Sequence, residues 1–385
     1  MSGLGPAPAP SSAANANQRV DVVTTLARFA SMADEWDALA GRFGRALLRH
    51  AWFLSAAEAL HAERDLRVVA IRRDGRLVAA APLVVVPEGW TPRLQLLGVS
   101  ALYEPSGLLY EDPPALRALA AAMVRLSRPI VLQRLEAGGP VPEAFRTAAG
   151  RLGVVVVRPT GPTVAVPVRG PWPAYEATLS SHIRNTLRRQ RARAAKVGAV
   201  TIEVATPSEA DVDTWLETVI AVEGSGWKGE NGSALRCRPD LRSFFLAYAR
   251  REARAGRLRI ACLRIGDRVA AVELAVEDHR RWWQLKIGYD HELRSFYPGL
   301  QLTGEMVKRA HDRGLEAYEF LGSAADWEAR WHPERRDFEV CLVYPPGLRG
   351  AAALADDATR VAIRRLRDRL TPAAPAARLA EPSDT

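Results

Sequence analysis

Glu273 and Lys286 are residues whose types and spacing suggest proton chemistry. In the stretch 269–277, VAAVELAVE, the residues Ala270, Val272, Leu274 and Val276 form an apolar row, and strand alternation leaves Glu273 between Ala271 and Ala275 on the other face. The stretch 281–290, RWWQLKIGYD, reads as the next strand, with Trp283, Leu285 and Ile287 on its apolar face and Gln284, Lys286 and Gly288 opposite. A two-residue turn at His279-Arg280 sets Glu273 directly across from Lys286. Such a pair tunes its own pKa values and handles a proton, and it equally serves as a structural cross-strand ion pair.

Three further segments carry chemistry. After Tyr289 and Asp290 comes a loop with Arg294, and Pro298-Gly299-Leu300-Gln301-Leu302 then opens a helix. Unpaired N–H groups at such a start attract anions such as a pyrophosphate, although Pro-Gly is also a common structural opening. The segment 223–232, EGSGWKGENG, ends a helix with four glycines where a cap needs one; it reads as a loop over a site, carrying Glu223, Trp227 and Lys228, or as a solvated surface loop. The helix 181–197 holds Arg184, Arg188, Arg189, Arg191, Arg193 and Lys196 and no acidic residue. Like charges four apart cost about 0.2–0.5 kcal/mol per pair, so anions, acidic neighbours or diffuse counterions must compensate.

The elements that position these residues fall into two similar sets. The stretch from Arg67, RVVAIRRDGRLVAAAPLVVV, predicts a hairpin around Asp74-Gly75, and the stretch from Arg259, RIACLRIGDRVAAVELAVED, predicts the same hairpin around Gly266-Asp267. They align at a constant offset of 192 residues, which suggests two copies of one α/β unit. Helical spacing predicts helices over 31–43, 115–126, 175–197, 208–223, 241–255 and 302–312. Strands are expected over 94–99, 129–135, 258–265, 268–277, 281–290 and 315–321. The proline-rich stretch 158–173 reads as the connection between halves, and 356–370 as a basic helix in the tail.

The chain has 385 residues, with 48% apolar and 25% charged, enough for two globular domains and unlike a disordered or collagenous chain. The formal charge of +9 favours anionic partners, nucleic acid and a CoA thioester alike. Cys237, Cys262 and Cys341 are too far apart for a zinc or disulfide framework, so a reducing compartment is expected. The first twenty residues lack a secretory pattern and no stretch is long enough to span a bilayer, which implies a cytoplasmic protein with peripheral membrane contact at most. Walker, GxGxxG, GxSxG and HExxH motifs are absent, so nucleotide hydrolysis, hydride transfer, serine hydrolysis and zinc proteolysis lack their marks.

Together, SHIRNTLRRQRARAAK, EGSGWKGENG, GDRVAAVELAV, KIGYD, YPGLQL and LEAYEFLGSAADWEARW resemble the GNAT-fold acetyltransferases of the CelD/BcsL type, related to the tandem-GNAT FemAB-like transferases. The likeness spans about residues 20–345 and is strongest over 180–331. It implies an α/β chain of two GNAT-like domains, each a mixed central sheet flanked by helices: 19–165, and an acyltransferase domain at 166–347, between a disordered tail (1–18) and a basic helical tail (348–385). It further implies an acyl-CoA-dependent N-acyltransferase acting on a small-molecule amine, with acetyl-CoA or another acyl-CoA as donor and no metal. The donor would lie between two splayed strands and be held by Tyr289, Arg294, Pro298, Gly299, Leu300, Gln301 and Leu302. Glu273, Glu223 and Lys286 would be catalytic, and Trp227, Lys228, Arg184 and Arg188 would bind the acceptor. An amino sugar or cell-envelope precursor is the acceptor suggested by association. Glu328 stands where relatives carry Lys, a reversal of charge. The rival readings are an aminoacyl-tRNA-dependent transferase and a non-catalytic module for an anionic polymer; no helical arm is visible between Leu241 and Leu258, which favours CoA over nucleic acid.

Overall fold

The structure, a computed structural model, describes residues 18–62, 64–225 and 234–370. The first half runs β1 (Gln18–Val23), α1 (Leu26–Ala30), α2 (Ala33–Ala40), α3 (His50–Leu60), β2 (Asp65–Leu66), β3 (Val68–Arg73), β4 (Arg76–Ala81), β5 (Leu83–Val86), β6 (Arg93–Leu96), α4 (Val99–Leu102), β7 (Leu109–Tyr110), α5 (Pro113–Arg125), β8 (Ile130–Glu136), α6 (Val141–Ala149) and β9 (Val154–Pro167). The second runs α7 (Trp172–Thr178), α8 (Ser181–Ala194), β10 (Val200–Ala205), α9 (Val212–Glu223), α10 (Pro239–Arg254), β11 (Leu258–Ile265), β12 (Arg268–Asp278), β13 (Arg281–Tyr289), α11 (Pro298–Asp312), β14 (Ala317–Glu319), β15 (Glu334–Tyr344) and α12 (Leu348–Leu370).

Local chemistry explains the boundaries. Asp112 accepts from the Ala115 N–H at 2.7 Å with Pro113 in the first turn of α5. The single helix expected over 175–197 is two, because Leu179 is extended and the Ser180 hydroxyl caps a new helix by accepting from the Ile183 N–H at 3.3 Å.

Among the described residues the strands form a four-stranded sheet, β1-β3-β4-β7, and an eleven-stranded sheet, β10-β11-β12-β13-β14-β9-β15-β8-β6-β5-β2. The duplication is visible in the pairing. The hairpin β3–β4 slips register between Ile71 and Arg72, and β11–β12 slips between Leu263 and Arg264, the positions matched by the 192-residue offset. The order β1-β3-β4-β7 repeats as β10-β11-β12-β13, giving the tandem mixed α/β architecture.

The stretch 158–173 is not a connecting linker. Residues up to Pro167 belong to β9, which lies between β14 and β15 and joins the two halves into one sheet. Its partners in β15 jump from Thr160 opposite Phe338 to Thr163 opposite Arg336, which leaves Gly161 and Pro162 out of register. That irregularity accommodates a residue with no N–H to donate inside a strand.

One apolar core packs α3 of the first half on α10 of the second, with Trp52 edge-on to Phe244 at 4.9 Å and to Tyr248 at 5.0 Å, and continues onto one face of β11–β13. The opposite face of those strands packs on α8 and α11. A third core fills the first half beneath α5 and α6. The α12 helix is tied down by charge: Arg93, 2% exposed, donates to both oxygens of Asp357 at 2.7 and 2.8 Å and to Asp356 at 3.3 Å. Removing one partner of such a buried set strands the others, so Arg93→Ala is expected to lower stability by about 3–5 kcal/mol. Urea unfolding monitored by circular dichroism measures this.

Candidate active site

The strands β13 and β14 run parallel but pair only at Arg281 with Ala317, Trp282 with Tyr318 and Trp283 with Glu319, and then part. Glu273 sits at this point, fully buried. It accepts hydrogen bonds from Trp282 Nε1 (2.5 Å), Gln284 Nε2 (3.2 Å) and Tyr318 Oη (2.9 Å), so one carboxyl joins β12, β13 and β14 where the last two separate. Burial pushes its pKa up to about 7, against the pull of those three donors.

Glu273 is therefore not opposite Lys286 and does not open onto a cleft. The turn at His279-Arg280 is as expected, with Asp278 opposite Arg281, but the register slips at a bulge. Ala275 faces Gln284 and Leu274 faces Lys286, so Leu285 is an extra residue and Glu273 lies opposite Ile287. The bulge also breaks the alternation, turning Lys286 to the α9/α10 face along with Trp283 and Leu285. There its Nζ lies 5.0 Å from the centre of the Phe245 ring. Gly288 meets the end of α9 on the same face: a Cβ at 288 would stand 2.4 Å from Glu223 Cα, so only glycine permits this approach.

Glu223, 3% exposed, accepts from the Leu235 N–H at 2.9 Å and so closes the base of the glycine-rich loop. Ser225 Oγ donates to the Tyr289 carbonyl at 3.2 Å. Trp227 and Lys228 lie outside the described residues. Glu223 and Lys286 thus share a face, whereas Glu273 is on the other one.

Beyond Tyr289 the chain makes a 3-10 turn, His291–Phe296, capped by Asp290, whose Oδ1 accepts from the Glu292 N–H at 3.0 Å. Tyr297 is left-handed (φ 50°), and α11 starts at Pro298. A Cβ on Gly299 would touch only Tyr289 Cδ1, at 3.5 Å, so the helix start is open. Gln301 Nε2 donates to the Phe296 carbonyl at 2.8 Å while its Oε1 is buried without a partner. Leu302 is core, packed beneath the turn rather than facing it. The Arg294 guanidinium folds onto its own turn at the His291 carbonyl (3.0 Å). This start leaves the Gly299 and Leu300 N–H groups open to an anion such as a pyrophosphate, whereas the orphaned Gln301 Oε1, an acceptor, would take a donor instead.

The basic helix α8 packs against α11 on the Glu273 side, so Arg184 and Arg188 are not brought to Lys286. Arg184 donates to the Leu179 carbonyl and Arg188 to Asn185, and neither has a carboxylate partner among the described residues. Glu328 is buried and accepts from the Ala325 N–H at 2.9 Å, holding the turn before Trp331; burial raises it to about 7. Among the described residues no group of three or more His, Cys, Asp or Glu could hold a metal ion.

Sequence reasoning missed two residues from the first half. Glu104, half-buried, accepts from the Gly322 N–H at 2.7 Å just past β14. Burial raises its pKa, opposed by that N–H and by the charges of Lys286 and Arg134. Arg134, fully buried and left-handed (φ 60°), donates to the carbonyls of Gly161 and Gly322. Its guanidinium lies 4.8 Å from the Tyr103 ring centre and 4.9 Å from that of Phe338. Ser106 Oγ, Arg134 Nε and Thr160 Oγ1, on the same segments, are buried without partners. Only a lone acidic residue before Pro105 in an apolar stretch signals this in the sequence.

Residues 181–329 match the family described as Acetyltransferase (GNAT) domain. The fold is similar to that of FemX (13% identity, TM-score 0.57, covering 80% of this chain and 95% of that one). It is also similar to a C-terminal domain (DUF2156) assigned to a lysylphosphatidylglycerol synthetase from Agrobacterium fabrum (13%, 0.52, 86% and 96%). L-PGS from Bacillus licheniformis is a further likeness (14%, 0.50, 84% and 96%). No curated protein matches the sequence. The second half is a GNAT domain, and the chain is a transferase with the tandem GNAT-related fold.

The raised Glu273 pKa has a definite sign. A carboxyl at about 7 in the folded chain and near 4.5 when unfolded contributes fully below about pH 4.5, and its contribution falls as pH rises through 7. The loss is about 3 kcal/mol. Glu273→Gln removes this titration, so wild type should lose stability relative to the variant between pH 5 and 8. Urea midpoints across that range check it; parallel curves would refute it.

Proposed function

We propose that this chain is an acyl-CoA-dependent N-acyltransferase whose donor enters between β13 and β14 and whose amine acceptor approaches from the α9/α10 face. The observation that carries this reading is the parting of the two strands directly before an open helix start, within the segment matching the GNAT domain. Gly299 and Leu300 offer backbone N–H groups to the donor's pyrophosphate, with Tyr289 and Gln301 shaping the turn. The β13 edge beyond Trp283 faces the gap instead of β14 and lines the acyl end. Bound acyl-CoA would supply an acyl carbonyl activated by its thioester.

The residues of this chain then orient the amine and hold its proton. We assign that role to Glu104, which borders the gap close to the Lys286 charge and whose carboxyl burial pushes up in pKa, toward a better proton acceptor. Glu223, closing the loop base, is the second candidate. Glu273 then positions the strands, and Lys286 draws the Glu104 pKa down. An amino sugar or cell-envelope precursor remains the acceptor we favour. Arg184 and Arg188 of α8, which have no carboxylate partner among the described residues, favour one alternative, an RNA-borne donor or polymer, and salt separates the two: RNA affinity would fall steeply with log salt, acetyl-CoA affinity only weakly.

Gly299→Glu places a carboxylate at the helix start, where space exists for it. It should weaken acetyl-CoA binding at least tenfold by calorimetry, about 1.4 kcal/mol, without moving the unfolding midpoint. Glu104→Gln should lower turnover roughly a hundredfold, measured as CoA release with an amine acceptor, and leave acetyl-CoA affinity within twofold. Unchanged turnover across pH would transfer the role to Glu223.

A further inference from the structure

A separate cavity lies between the halves at the other end of β13 from the gap. It is open, with a volume of about 620 Å³, and is bordered by Phe43 and Arg45 from the turn after α2, by the β12–β13 turn, by Arg281, and by Arg336 of β15. Glu319, 2% exposed, accepts from Arg281 at 2.6 Å and Arg336 at 2.9 Å, and fixes both guanidinia from behind. Arg280 donates to the Gly314 carbonyl at 2.8 Å, and Arg45 donates to Glu136. Each of the four guanidinia thus donates one side-chain hydrogen bond, and Arg280 and Arg281 also stand 3.4 and 3.7 Å from Glu316, which still leaves several N–H groups open.

Glu136 and Glu316 also border the cavity and Glu319 lies behind it, so four cations stand against three anions. The turn adds a second observation. His279 and Arg280 are both left-handed, with φ of 50° and 56°, where a tight hairpin favours glycine or asparagine. Strain of this kind costs on the order of 1–3 kcal/mol per residue and concentrates at ligand sites. Both residues border the cavity.

We propose that this cavity binds a phosphorylated small molecule, with its phosphate oxygens taken up by Arg45, Arg280, Arg281 and Arg336 and its apolar part against Phe43. Guanidinium matches phosphate oxygens in pairs, and Glu319 has already ordered two of the four, which lowers the entropy lost on binding. The site does not depend on the identity of the acyl donor.

The test is calorimetric titration of inorganic pyrophosphate into protein saturated with acetyl-CoA, so that the α11 start is filled. The double variant Arg45→Ala/Arg280→Ala is the comparison, because the carboxylates it leaves, Glu136 and Glu316, are more than half exposed and the fold survives. Wild type should bind at one site, more weakly as salt rises; the double variant should bind at least tenfold more weakly, and Gly299→Glu should bind as wild type does. Absence of binding to wild type, or equal binding by the double variant, overturns the proposal. Should wild type take up no acetyl-CoA, the acyl-CoA reading alone fails, and the same comparison without acetyl-CoA still decides the pocket.

Discussion

Glu273, fully buried, accepts hydrogen bonds from Trp282 and Gln284 on one strand and from Tyr318 on the next. Leaving any of these donors buried and unpaired would cost about 1–3 kcal/mol, so the three strands are held in one arrangement. Immediately beyond, β13 and β14 separate. The gap opens where that satisfied polar cluster ends, and the Leu285 bulge turns Lys286 toward one side of it. Everything assigned to the site is placed relative to that gap: the α11 start on one side, and Lys286, Gly288 and the end of α9 on the other.

The first half contributes more than a duplicated scaffold. Arg134 and Glu104 hold the peptide groups on both sides of Gly322, the residue that follows β14 into the gap. Leu321 and Gly322 are both left-handed, free for glycine but for leucine a conformation that persists only where its surroundings impose it. A buried guanidinium bonded to two carbonyls and lying near two aromatic rings supplies that constraint. Because β9 and β15 also interleave the halves within one sheet, the site's geometry depends on both copies of the unit.

Period-two alternation, Asp-Gly and Gly-Asp turns and the 192-residue offset made the hairpins and the tandem organisation legible in the sequence, and the bulges at Ile71/Arg72 and Leu263/Arg264 follow the same offset. The α11 opening was legible as a motif; the approach of Glu223 to Gly288 of β13 was not. The Leu285 bulge was not, because one extra residue in an apolar strand changes no residue type while reversing every face beyond it. Strict alternation therefore sets Glu273 opposite Lys286, where the bulge sets it opposite Ile287. Strand β9 was hidden by prolines, which read as breakers unless an irregular register is known. Glu104 and Arg134 act across more than 180 residues of sequence, a contact that no local pattern encodes.

The central claim is that the gap between β13 and β14 receives acyl-CoA. Native mass spectrometry of the purified chain with added acetyl-CoA addresses it without knowledge of the acceptor. One acetyl-CoA per chain, displaced by free CoA, is the expected result. A chain that stays ligand-free with acetyl-CoA at millimolar concentration, yet binds single-stranded RNA with steep salt dependence, would contradict it.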